Sequence, residues 1–335
     1  MLLAFLFYCS GPRTPPNDID PNLLKWIDEV PNFVGASRAE KTKEKYQRAW
    51  KKWEEFCKQY GMTARPADPF NIAVYFNFLL STRGTRGAIN DAMYGIRWGH
   101  ISVGLHTPTD HPFTKLAYDG AIRSSDYTGT KKKEPFTATM LRALVDADRF
   151  TDYMYFRFLI ICSLGFTSFM RLDEILHVKI EHIQFHQDHL TINLPKSKTD
   201  QTREGNIIYL AELGTKYCPV INTAIYIHTL KLKEGDYLIC KLAKSKAGHN
   251  PIGKHQMSGS HMRKVFQQHI STYLPHTTNI TPHSLRAGGA SAAAENGVPD
   301  RQISKHGRWK SENARNGYIL DTVQNRLEIS KKLGL

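Results

Sequence analysis

Apolar positions recur every three or four residues along most of this chain, so most of it reads as amphipathic helix. Between residues 37 and 60, Tyr46, Trp50, Trp53, Phe56 and Tyr60 keep that spacing. Ser37 and Glu40 stand as a capping-box pair ahead of them, and Gly61 ends the run. Asp68-Pro69 opens a second helix through Leu80, a third runs from about Thr85 to Val103, and a fourth covers Phe113 to Arg123. Together they predict a small all-helical domain whose aromatics form its core.

The pattern then changes. Gly129, Lys131, Lys132, Lys133 and Pro135 mark a linker. Beyond it, helices are predicted at Thr137–Arg149 and at Tyr153–Ser168, the latter apolar on every side, and another begins at Arg171. Period-two alternation at His189–Leu194 and Asn206–Leu210 predicts two strands joined by the polar hairpin loop Pro195–Gly205. Helices follow at about 215–231 and 258–273. Thr281 and Pro282 then supply N-cap and first-turn positions for a helix reaching Gly297, and 300–335 reads as helical with a break near Gly307. The expected organisation is a disordered leader over 1–30, a helical domain over 31–127, a linker over 128–136 and a second domain over 137–335. The fold class is mainly α with a small β-sheet, that is α+β. The apolar start, Met1 to Tyr8, is too short to span a bilayer and has no basic residues before it.

Composition adds a partner. A chain of 335 residues exceeds one typical core, which agrees with two domains. Its formal charge is +14, from 45 Lys+Arg against 31 Asp+Glu, which favours a polyanion. Lys41, Lys43, Lys45, Arg48 and Lys52 crowd the first long helix, Arg86 and Arg97 lie beyond it, and Lys131, Lys132 and Lys133 occupy the linker. These are the candidate DNA-facing residues, although surface cations are ordinarily only solvated. The five cysteines form no CxxC pair, so neither zinc ligation nor a disulfide framework is indicated and a reducing compartment is favoured. No P-loop and no carboxylate cluster suggests a nucleotide or metal, and no cofactor is expected.

Candidate chemistry lies in the second half. His283 and Arg286 are three apart at a helix start, so they share a face and make a two-pronged donor site for an anion. Arg171 emerges from the end of the apolar helix with Glu174 three residues on, able to hold it. Lys198 sits at the hairpin tip, where an ammonium can protonate a leaving oxygen. Trp309 offers an indole N–H, and Tyr318, nine residues later, a phenol that can act as a nucleophile. Each of these, taken alone, has an ordinary structural explanation.

Their order does not. Arg171, then Lys198 in a β-hairpin, then His283-x-x-Arg286, then Trp309, then Tyr318 resembles the tyrosine recombinases, the phage-integrase family. The resemblance spans roughly residues 37–325 and includes a helical core-binding domain around Thr42, Tyr46 and Trp53. The wording Gly307-Arg308-Trp309-Lys310-Ser311, where many members have Gly-His, looks most like recombinases of eukaryotic mobile elements of the Crypton and DIRS kinds. Many members also carry Gly two residues before the first Arg, where this chain has Phe169.

The resemblance implies a C-shaped clamp on duplex DNA and cleavage and rejoining through a 3′-phosphotyrosine on Tyr318. It implies catalytic roles for Arg171, Lys198, His283, Arg286 and Trp309, with Glu174 behind them. It further implies a tail helix bearing Leu320, Val323, Leu327 and Leu333 that links four copies on two DNA sites. The location would be the nucleus in a eukaryote and the nucleoid otherwise. Two other readings stay open: a DNA-binding protein of the same fold without activity, and a type IB topoisomerase.

Overall fold

The computed structural model describes residues 21–125, 133–194, 206–245, 248–277 and 279–320, with a few positions beyond. The chain divides into two compact units, Met1–Lys131 and Lys132–Leu335.

The first unit is helical: α1 (Pro21–Ala36), α2 (Glu40–Gln59), α3 (Pro69–Arg83), α4 (Arg86–Ile101) and α5 (Pro112–Ser124). Trp50, Trp53, Phe56, Ile72, Tyr75, Phe76, Leu79, Ile89 and Ile96 make its core. Helices α2 and α4 touch so closely that a Cβ on Gly95 would lie 2.5 Å from Ala49 Cβ. Asp68 caps α3 by accepting from the Phe70 N–H at 2.8 Å, with Pro69 in the first turn. Over residues 21–30 helix α1 corrects the expected disordered leader, with Leu23, Trp26, Val30 and Phe33 at helical spacing as an amphipathic stripe; residues 1–20 of that leader lie outside the described residues. Ser37 does not cap α2. Its hydroxyl donates to the Val34 carbonyl at 2.7 Å and so closes α1, while Ala39 precedes α2.

The second unit holds α6 (Ala138–Asp146), α7 (Tyr153–Thr167), α8 (Leu172–His177), β1 (Ile183–Phe185), β2 (His189–Leu194), β3 (Asn206–Ala211), α9 (Pro219–Thr229), β4 (Cys240–Ser245), β5 (Gly248–Gln256), α10 (Gly259–Tyr273), α11 (Pro282–Glu295), α12 (Asp300–Gly307) and α13 (Glu312–Asn316). Helix α7 is the axis. Every residue from Tyr155 to Gly165 is buried, because helices pack around it on all sides, as its uniformly apolar pattern requires. The expected strand pair forms an antiparallel ladder with Leu190 opposite Leu210 and Ile192 opposite Ile208, extended by β1 to the order β1-β2-β3. The loop that joins β2 to β3 lies outside the described residues. The β4–β5 hairpin was not foreseen, since Lys, Gly, Pro and Asn interrupt its alternation. Residues 300–320 are less helical than the sequence predicts, because α12 and α13 are short and separated by residues 308–311; most of the expected tail helix beyond them lies outside the described residues.

Candidate active site

Three elements converge on one locus in the second unit: the turn after α7, the first turns of α11, and the segment from α12 through α13. The turn after α7 is set by Phe169, whose φ is +51°. That left-handed residue ends the helix, sends Met170 into the core and leaves Arg171 as the residue before α8. The Arg171 main-chain N–H donates to Glu174 Oε2 at 2.9 Å and its guanidinium to Oε1 at 2.6 Å. Phe169 stands where glycine would bear that conformation without strain. It is held by its ring, which packs edge-on against His306 at 4.6 Å and beside Trp309 at 6.0 Å.

Helix α11 lies deep because it presents glycines to its neighbours. A Cβ on Gly288 would fall 1.7 Å from the Phe136 carbonyl oxygen, and one on Gly289 would fall 2.0 Å from that of Phe166. This depth buries Arg286 completely. Its guanidinium donates to the carbonyls of Phe169 and Gly307, tying the turn after α7 to the end of α12. Burial first, then the charges of Arg171 and Arg308, pushes its pKa down to about 10, so it stays cationic at neutral pH. Its Cζ lies 4.4 Å from the centre of the Trp309 ring and 5.1 Å from that of Tyr318. The Tyr318 ring lies 4.8 Å from that of His283 and 5.1 Å from that of Trp309. His283 is exposed and the Arg171 side chain is 20% exposed, so the locus opens to solvent on their side. The buried indole N–H of Trp309 has no acceptor among the described residues.

Glu174 is the charged pivot. Burial alone raises a carboxyl pKa, but the Arg308 charge, the Arg171 N–H bond and the Arg171 charge together hold it below the usual carboxylate range. The structure thus brings together Arg171, Glu174, His283, Arg286, Trp309 and Tyr318, all singled out from sequence. Lys198 lies outside the described residues. Sequence reasoning missed two contributors. Arg308 donates to Glu174 Oε2 at 3.0 Å, and His306 uses Nε2 against the Thr167 carbonyl at 2.8 Å. Both flank Gly307, and only the departure from Gly-His at Arg308 hinted at either.

A family model described as the phage integrase family matches residues 134–324, more than half of the chain. The chain belongs to that family. It is a site-specific DNA recombinase or integrase by that membership. An integrase/recombinase xerD homolog of Selenomonas ruminantium is 24% identical over 287 residues, which is 84% of this chain and 82% of that protein. Among solved structures, XerH recombinase in a post-cleavage complex with palindromic difH substrate gives a TM-score of 0.59 at 14% identity, over 99% of this chain and 94% of that one. The Tn1549 transposon integrase with transposon right-end DNA gives 0.56 at 12% identity, over 91% and 99%. A lambda integrase dimer on a COC′ core site gives 0.55 at 14% identity, over 90% and 96%. These likenesses establish the fold of this phage integrase family member.

The basic residues of the first unit sort into two kinds. Lys41, Lys45, Arg48 and Lys52 repeat along one side of α2, and the last three line a cleft of about 230 Å³. Lys45 pairs there with Asp91 at 2.6 Å. Lys43 reaches Glu40 at 3.8 Å, Arg97 is paired with Asp110, and Arg86 donates to the Ile122 carbonyl at 3.4 Å. Lys133 is exposed, while Lys131 and Lys132 lie outside the described residues. Among the described residues, no helix is long and apolar enough to cross a membrane and no cluster of His, Cys, Asp and Glu could hold a metal.

Proposed function

We propose that this protein cleaves and rejoins duplex DNA through a covalent 3′-phosphotyrosine on Tyr318. The observation that carries the reading is the seat of the Tyr318 ring, between His283 and Trp309 and over the Arg286 guanidinium. In the proposed step the phenol oxygen attacks phosphorus and the bond to the 5′ oxygen breaks. The phenol proton passes to His283, and the departing 5′ oxygen takes a proton from Lys198. Arg171 and Arg286 neutralise the charge that grows on the non-bridging oxygens, and the Trp309 indole N–H donates to one of them. Reversal with a 5′-hydroxyl from a second duplex rejoins the strands. The phosphate approaches from the open side, at Arg171 and His283.

The solved relatives described as DNA complexes support duplex DNA as the partner. The Gly307-Arg308-Trp309-Lys310-Ser311 wording supports a mobile-element recombinase of the Crypton or DIRS kind, acting in the nucleus of its host. The leucines of the tail support exchange between copies and a tetramer on two sites.

The test is a pool of random duplexes incubated with the protein and quenched in detergent, from which covalent adducts are captured and sequenced. Wild-type protein yields adducts at a shared sequence, and Tyr318→Phe binds the same duplexes without forming any. Binding without adducts from wild-type protein would reduce the chain to a DNA-binding member of its family.

A further inference from the structure

Arg308 ends α12 with a φ of +57°, the left-handed conformation that helix C-termini usually give to glycine. A non-glycine residue held there is a reason to look for what its side chain supplies. The side chain is 6% exposed and reaches away from solvent. One guanidinium nitrogen donates to the carbonyls of His306, at 2.9 Å, and Ser168, at 3.3 Å. The other donates to Glu174 Oε2 at 3.0 Å and to the Phe169 carbonyl at 3.2 Å.

Both acceptors on that second nitrogen are shared with arginines of the candidate active site. Glu174 holds Arg171 through its other oxygen, and the Phe169 carbonyl also takes a bond from Arg286. Arg308 is therefore the common neighbour of the two cations meant for the phosphate, and it lies too deep to meet the phosphate itself. Three guanidiniums crowd one carboxylate and one carbonyl. Like charges repel, so removing the third would let Arg171 and Arg286 shift toward the vacated acceptors.

We propose that Arg308 is a positioning residue that holds Arg171, through Glu174, and Arg286, through the Phe169 carbonyl, at the spacing required to clamp one phosphate. Arg308→Gly is a favourable probe because glycine accepts the backbone at this position. A misplacement of about 1 Å in such a clamp slows chemistry about 100-fold. The charged groups around Glu174 are Arg171, Arg308 and Arg286, with His306 beside Arg308. Without Arg308, burial of Glu174 is opposed mainly by Arg171, so the acid limb of the rate profile moves to higher pH.

This inference rests on the proposed cleavage reaction. The experiment measures single-turnover adduct formation against pH on a duplex recovered from the random pool, with DNA affinity measured on the same duplex. Expected for Arg308→Gly is unchanged affinity, an adduct rate about 100-fold lower, and an acid limb at higher pH. Arg308→Lys recovers part of the rate, because an ammonium reaches Glu174 but cannot also span the carbonyls. The double variant Arg308→Gly with Glu174→Gln is no slower than the worse single one, since both act through one carboxylate. A wild-type rate and an unmoved acid limb in Arg308→Gly, or losses that multiply in the double variant, overturn the proposal. Should the glycine variant unfold, Arg308→Gln carries the same test, removing the charge while keeping most of the side chain. Absence of adducts from wild-type protein overturns the cleavage reading and this inference with it. Adducts from wild-type protein at a rate matched by Arg308→Gly overturn the inference alone.

Discussion

Ser291 Oγ accepts the main-chain N–H of Leu320 at 2.8 Å, two residues beyond Tyr318. Ser291 belongs to α11, the helix that also carries His283 and Arg286. One buried hydroxyl thus fastens the chain leaving the proposed nucleophile to the helix that presents its partners.

Ser291→Ala leaves the Leu320 N–H without that acceptor, at a cost of about 1–3 kcal/mol. DNA affinity stays constant while the adduct rate falls, because only the seat of Tyr318 loosens. Thermal unfolding and single-turnover trapping check the two halves. A matching loss of DNA affinity would point instead to general loosening of the unit.

Glu174 makes stability depend on pH in a definite direction. Its folded pKa lies below the usual carboxylate value, so its contribution is complete above the unfolded value of about 4.3 and is lost as pH falls through the folded value. Urea unfolding of wild-type protein therefore weakens below about pH 4.3, and Glu174→Gln weakens less across the same window. At neutral pH the glutamine variant is the less stable, by about 3 kcal/mol, since buried Arg308 and half-buried Arg171 lose their counter-charge. Equal slopes in the acid window would sink the assignment.

Phe169→Gly sets two effects against each other. Glycine relieves a left-handed residue by about 1–2 kcal/mol. Loss of the buried ring against His306 and Trp309 costs about 3–5 kcal/mol. The ring wins, and the variant is destabilised by roughly 1–4 kcal/mol as the difference of those two ranges. Phe169→Leu, which loses less volume but keeps the backbone strain, falls between wild type and glycine. Calorimetric melting orders the three proteins.

If DNA lies along the basic side of α2, Arg48 and Lys52 there and the paired Arg97 differ in their response to salt. Arg48→Ala with Lys52→Ala lowers the slope of log affinity against log salt by about 2, near 0.9 for each phosphate no longer neutralised. Arg97→Ala leaves that slope unchanged, because its guanidinium is committed to Asp110. Titration of duplex DNA of arbitrary sequence at several salt concentrations checks both. An effect from Arg97→Ala equal to that of the pair would place the DNA-facing surface elsewhere on the unit.

Much of the fold was legible because periodicity reports burial. Trp50, Trp53 and Phe56 show one buried helix face, and the uniformly apolar run from Tyr155 to Gly165 shows a helix buried all round. The strand pair was readable because Leu190 and Ile192 alternate with polar neighbours, and because Ile207 to Leu210 is a run of strand-forming residues in which Ile208 and Leu210 face inward. Helix α1 does carry a start signal, Asp20-Pro21, like that at Asp68-Pro69, but Pro31 interrupts its run; the β4–β5 hairpin was missed because turn-forming residues break its alternation. For the locus around Tyr318, residue types and order were visible and the scaffolding was not. A left-handed phenylalanine reads like any other apolar residue, and Arg308 looks like a surface cation until helix α12 directs it inward. Spacing along a chain says which groups can meet. It cannot say which main-chain carbonyls will hold them, and here the carbonyls of Phe169 and Gly307 do that for Arg286.

The rings of Trp309 and Tyr318 lie against Arg286 and help seal it from solvent. The proposed nucleophile therefore covers the cation proposed to receive the phosphate. Parting them forfeits a desolvated cation–π interaction of roughly 2 kcal/mol, a thirtyfold bias toward rest. A phosphate, with full negative charge in place of a neutral ring face, can offset that bias. On the proposed reaction, entry of the phosphate and displacement of the rings are one event.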